Sequence, residues 1–140
     1  MCLTQIDKIY DPPLAEEREA WGAFRDIDGK LIGVCFDQFG RRFDIFIGLS
    51  PYPIEQWITA LSPILRLFTE SDEGEPRDQL YPPGFHKAPD LEALKILASR
   101  LTWDGIIYRR VRLRGILVEG KQENCPVWVA REMFIEKEEQ

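Results

Sequence analysis

The chain has 140 residues, a formal net charge of −6, 44% hydrophobic residues and 30% charged ones. That is one domain's length at an ordinary globular balance, which excludes disorder throughout. The acidic total argues against a general nucleic-acid binder, since phosphate affinity needs a basic surface, and leaves room only for a local basic stripe. Cys2, Cys35 and Cys125 are odd in number and widely spaced. They make neither a disulfide framework nor a C-x-x-C metal pattern, so a reducing, cytoplasmic setting without metal or cofactor is expected. No window is apolar enough to span a membrane, and the start of the chain lacks a leader's apolar run.

Taken in order, residues 1–19 read as an arm along the body, with Ile6, Ile9 and Leu14 as anchors around the stiff Asp11-Pro12-Pro13 turn. Ala20 to Arg25 is the first expected strand. Asp28-Gly29 is a strong hairpin signal, because both positions tolerate the left-handed backbone of a tight turn. Leu31 to Phe36 returns as a second strand and Phe43 to Leu49 as a third, giving an antiparallel meander. In 53–61, Ile54, Trp57, Ile58 and Leu61 fit a helix with Pro53 at its first turn, although Trp57-Ile58-Thr59 has strand character; Ile64 to Phe68 is helix or strand. Residues 70–79 (ESDEGEPRDQ) predict a solvated acidic loop.

The stretch Tyr81 to Leu101 organises the rest. Gly84-Phe85-His86 predicts a short buried strand, and Asp90 after Pro89 predicts a helix N-cap. Leu91, Leu94, Leu97, Ala98 and Leu101 then recur at helical spacing, one apolar stripe on a helix of about 90–101. Gly105 to Val118 and Pro126 to Ile135 alternate as two long strands joined by a hairpin-like link, and a charged tail, 136–140, frays. Period-two alternation demands that the apolar faces coincide. The matching register puts Val111 opposite Met133, Arg112 opposite Glu132 and Arg110 opposite Phe134. The fold class expected is α+β: one domain, 1–140, mainly antiparallel sheet (meander plus C-terminal hairpin) with one helix packed on it.

Three motifs carry a resemblance. Met1-Cys2-Leu3, the Tyr81 to His86 step leading into Leu91-Glu92-Ala93, and Arg110-Val111 with Gly115 resemble small uncharacterised proteins of bacteriophages and prophages. The likeness implies no established activity. It implies a small intracellular protein of a phage context, where inhibitors of host or rival machinery are frequent.

Four constellations carry candidate chemistry. Cys2 becomes an N-terminal nucleophile if Met1 is removed, but Leu3 follows where such enzymes have glycine, and packing as a small hydrophobe is the simpler reading. His86, the only histidine, suits a general base by its ordinary pKa; the simpler reading has it donating to a backbone carbonyl and pinning a turn. The strand–turn–helix around His86 also resembles the nicotinamide-binding segment of ADP-ribosyltransferases. That likeness offers Glu119 or Glu132 as a late-strand glutamate and Arg25 as a counterpart of the opening arginine, but the family's Ser-Thr-Ser motif is absent. Finally, Tyr108, Arg110, Arg112 and Arg114 share one strand face, a pattern suited to phosphate or single-stranded nucleic acid, unless Glu132 and Glu136 pair with it across the strands.

The function expected is a small non-catalytic binding or inhibitory protein acting on another macromolecule, another protein in the first instance. The alternatives are a transferase or hydrolase built on Cys2, His86 or Glu132, and a nucleotide or nucleic-acid binder using the arginine face.

Overall fold

The computed structural model describes residues 3–33, 35–36, 42–43, 52–60, 67–70, 76–99 and 105–137. In chain order these are β1 (Gln5–Leu14), β2 (Arg18–Ile27), β3 (Lys30–Gly33), β4 (Cys35–Phe36), β5 (Arg42–Phe43), β6 (Trp57–Thr59), β7 (Leu67–Glu70), β8 (Pro76–Tyr81), β9 (Phe85–Lys87), α1 (Leu91–Ala98), β10 (Ile106–Gln122) and β11 (Cys125–Ile135). The architecture is α+β, a mainly antiparallel half-barrel sheet with one helix packed on it.

The sheet is built around β10. One edge of this strand pairs with β2 over Ile106–Leu113 and with β1 over Ile116–Lys121, so two consecutive strands share one lane. Its other edge pairs with β11, and β11 in turn carries β6 at Glu132–Phe134 and β9 at Trp128–Ala130. The arm expected at 1–19 is therefore largely a sheet strand. Ile6 and Leu14 pack against the core as expected, whereas Ile9 is 48% exposed and anchors nothing.

The β2–β3 hairpin turns at Asp28 (φ 53°) and Gly29 (φ 81°), both left-handed, and the Asp26 carboxylate accepts the Gly29 N–H. β4 and β5 pair as the start of the expected meander; 44–50 lie outside the described residues. Over 53–60 the expected helix is replaced by β6, and Leu61 lies outside the described residues. Glu55 takes a left-handed φ of 57°, and its N–H donates to the carbonyl of Ile135. Three-four apolar spacing fits either state over so short a run, and pairing with β11 decides it. Of the expected acidic loop 70–79, Glu70 belongs to β7 and residues from Pro76 onward to β8, its partner, while 71–75 lie outside the described residues.

Helix α1 follows its sequence signals. The Asp90 carboxylate accepts from the N–H groups of Glu92 and Ala93, satisfying two donors that a first helical turn leaves unpaired. Leu94, Leu97 and Ala98 are buried against Val118, Val127, Val129 and Tyr81. The helix closes at Ser99, before the expected Leu101, which lies outside the described residues. A second core holds Phe24, Phe85, Val111, Leu113, Met133 and Ile135, with the Tyr52 ring edge-on to Phe24 and Phe85 at 5.9 and 6.3 Å. Each such aliphatic side chain contributes about 2 kcal/mol by leaving water.

The β10–β11 pairing keeps the expected parity but not the expected register. Val111 lies opposite Ile135, Arg112 opposite Phe134, Leu113 opposite Met133 and Arg114 opposite Glu132, two residues further along than the apolar match. The hairpin closes on Glu123 (φ 55°) and Asn124, tighter than the expected link. A register shift between Ile116 and Val118 then accommodates one extra residue, so Ile116, Leu117 and Val118 are all buried and both faces of that segment are covered. Gly115, with φ 69°, stands where the strand makes this change.

Candidate functional site, an arginine–aromatic sheet face

Alternation along β10 puts Arg110, Arg112 and Arg114 on the face opposite Val111 and Leu113, which are buried in the core. Each guanidinium then meets an aromatic ring from a neighbouring strand. Arg110 pairs with Trp21 of β2 and lies 5.3 Å from its ring centre. Arg112 lies 4.2 Å from the ring of Phe134, its partner on β11, and Arg114 lies 3.9 Å from the ring of Trp57 on β6. Trp57 and Phe134 are themselves register partners, tilted at 54° with centroids 5.6 Å apart. Four strands thus contribute one continuous patch of Trp21, Arg110, Arg112, Phe134, Trp57 and Arg114.

Carboxylates thread through it. Arg114 bonds to Glu132, and Arg112 sits between Glu17 (3.3 Å) and Glu136 (3.6 Å). Such half-exposed pairs contribute 0–1 kcal/mol each, and the stacked rings add about as much, so the arrangement orients the arginines more than it stabilises the fold. Arg110 differs: it is exposed, and among the described residues no carboxylate lies within 4.0 Å of it. The cross-strand pairing anticipated from sequence is therefore met at Arg112 and Arg114 and not at Arg110. Tyr108, the fourth residue of the expected row, is half-buried against the helix-side core, with the Lys95 ammonium 5.9 Å from its ring.

Among the described residues the catalytic candidates do not assemble. His86 is buried on β9 opposite Val129, and both of its ring nitrogens are engaged. Nδ1–H donates to the Gly84 carbonyl (2.9 Å), so Nε2 accepts from the Tyr81 hydroxyl (3.0 Å), whose oxygen in turn accepts the Leu3 N–H (3.0 Å). Burial, with Lys87 nearby, pushes the His86 pKa down to about 3, so the ring is neutral at ordinary pH. This is a structural histidine's environment.

Glu132 lies three residues along β11 from that pairing and is held by Arg114. Glu119 accepts from Arg18 and from the Tyr10 hydroxyl. Partial burial raises its pKa, but those hydrogen bonds outweigh burial and hold the carboxyl below its ordinary value. Arg25 stands at the far end of β2, opposite Ile106. Cys2 lies outside the described residues. Cys125 is a buried free thiol, pushed up to about 11 by burial and by Asp90. Among the described residues no group of His, Cys, Asp and Glu could hold a metal ion, and no helix is long and apolar enough to cross a membrane.

Sequence reasoning finds the arginines but misses Trp21, Trp57, Phe134 and Glu17. Trp21 and Phe134, both half-buried, were visible as alternating aromatics along their strands, whereas Trp57 was hidden by its helical spacing.

The fold and face together define a class: an α+β half-barrel with a half-exposed arginine–aromatic sheet surface. No protein-family model, curated protein or solved structure matches the chain.

Proposed function

We propose that this is a non-catalytic interaction protein of a phage context, acting in the bacterial cytoplasm, that binds another protein through the sheet face of Trp21, Trp57, Phe134 and Arg110, Arg112 and Arg114. The observation that carries the reading is the stacking of Arg112 and Arg114 on Phe134 and Trp57. Tryptophan and arginine are the side chains that dominate protein–protein binding energy, and stacking holds them in place before any partner arrives. Nucleic acid fits the face less well. The rings that would stack on bases are already covered by guanidiniums, and Glu17, Glu132 and Glu136 neutralise the arginines that would meet phosphate.

The test is affinity capture from a nuclease-treated bacterial lysate with the wild type, Arg112→Glu and Trp57→Ala, each first checked for folding by urea titration. The reading predicts a stoichiometric protein partner retained by wild type and lost with both variants. Recovery of nucleic acid alone, when nuclease is omitted, would favour the anion-binding alternative. An empty capture at low salt would sink the reading and turn attention to Cys2→Ala activity screens.

A further inference from the structure

Within that face, whose docking role this inference presupposes, the three arginines are not equivalent. Arg112 and Arg114 already have internal carboxylate partners, while Arg110 is exposed and has none among the described residues. Its fork is nonetheless positioned, because Trp21 holds the guanidinium 5.3 Å from the ring centre. A planar guanidinium so held offers two parallel N–H donors to one carboxylate at reduced entropic cost. A second cation stands on the same side: Lys95, beside the Tyr108 ring and only loosely paired to Glu92 at 3.8 Å.

The anions around this point limit what can dock. Glu19, exposed, lies opposite Arg112 and one alternation along β2 from Trp21. Glu136 donates its backbone N–H to the Arg110 carbonyl while its carboxylate faces Arg112. A strand of phosphates running across the face would pass both carboxylates, and like charges at that range repel. A single carboxylate reaching Arg110 would not, and the edge of Trp21, only partly buried, still offers some apolar area to a neighbouring side chain.

We propose that Arg110, set on Trp21, is the receptor for an Asp or Glu carboxylate of an acidic, partly apolar segment of the partner protein. The probe is a fluorescein-labelled octapeptide with one central glutamate among leucine and serine residues, titrated by anisotropy against the full chain at low salt. Its glutamine-for-glutamate counterpart and an octathymidylate serve as comparisons. The glutamate peptide should bind, with the glutamine peptide weaker by about fivefold or more, the size expected for one charge-assisted contact. Arg110→Gln should erase that difference, while Arg131→Gln, an exposed arginine on the other face of β11, should leave it intact. Equal binding of the two peptides, or full retention of the difference in Arg110→Gln, would overturn the assignment, as would tighter binding of the oligonucleotide than of the glutamate peptide. The two readings fail separately: a protein partner lost with Arg112→Glu and Trp57→Ala but kept by Arg110→Gln would leave the docking face standing and remove Arg110 as its receptor.

Discussion

His86 shows how a residue type that suggests chemistry can be committed to structure. Its ring closes a buried relay from the Leu3 N–H through the Tyr81 hydroxyl to the Gly84 carbonyl, with every donor matched to an acceptor. Tyr81→Phe removes the middle of that relay and leaves a buried N–H and a ring nitrogen unpaired. It should cost about 1–3 kcal/mol in urea unfolding. The relay also sets a pH dependence. In the folded chain His86 resists protonation down to about 3, against an ordinary 6.5 in the unfolded chain. Between those values the unfolded state binds the extra proton, so stability is full above pH 6.5 and is lost as pH falls toward 3. The slope approaches about 1.4 kcal/mol per pH unit. With only one histidine in the chain, the window from pH 6.5 to 5 reports this group almost alone. Urea midpoints should fall across it in the wild type and change much less in His86→Gln. An equally steep fall in the variant would assign the effect elsewhere.

At the scale of elements, local signals succeeded where the chemistry is local. Asp90 caps α1 because its carboxylate reaches two N–H groups within its own first turn, and Asp28-Gly29 turns because both residues tolerate positive φ. Asp90→Ala should therefore lower stability by about 1 kcal/mol, read by thermal or urea unfolding. Alternation likewise gave the inner and outer residues of β10 from Ile107 to Arg114, but not through Ile116–Val118, all buried, nor at Ala130, buried, and Arg131, exposed, on β11. It could not give the register, because a slip of two residues preserves both faces and costs nothing that a pattern can register. What fixes the register lies across the sheet, and at Gly115 β10 and β11 press close together. There, a side chain at Gly115 would sit at φ 69° with its Cβ 3.1 Å from that of Arg131. Gly115→Val should cost about 1–3 kcal/mol by strain, and more than Gly29→Val. The turn glycine has nothing within 4 Å of its Cβ position, so the difference isolates the crowding. β6 was illegible for a related reason: its few residues satisfy two periodicities, and only β11 chooses between them.

For the whole molecule, the α+β class, helix α1 and the arginine row were readable because each rests on a repeat along one strand or helix. The arginine–aromatic face was not, because it is assembled from β2, β10, β11 and β6, and no one segment contains more than a fragment of it. Trp21 and Trp57, distant in sequence, come onto one patch only through the pairing of β2 with β10 and of β6 with β11. The same assembly concentrates three arginines on one face while the chain as a whole stays acidic, so net charge alone pointed away from it. The measurement that tests the docking face most directly is phenylglyoxal footprinting of the arginines, read by mass spectrometry, with and without the captured partner. The account predicts that Arg110, Arg112 and Arg114 become shielded while exposed Arg131, on the other face of β11, stays reactive. Shielding of Arg131 with the β10 arginines unchanged would place the partner on the other side of the sheet and contradict it.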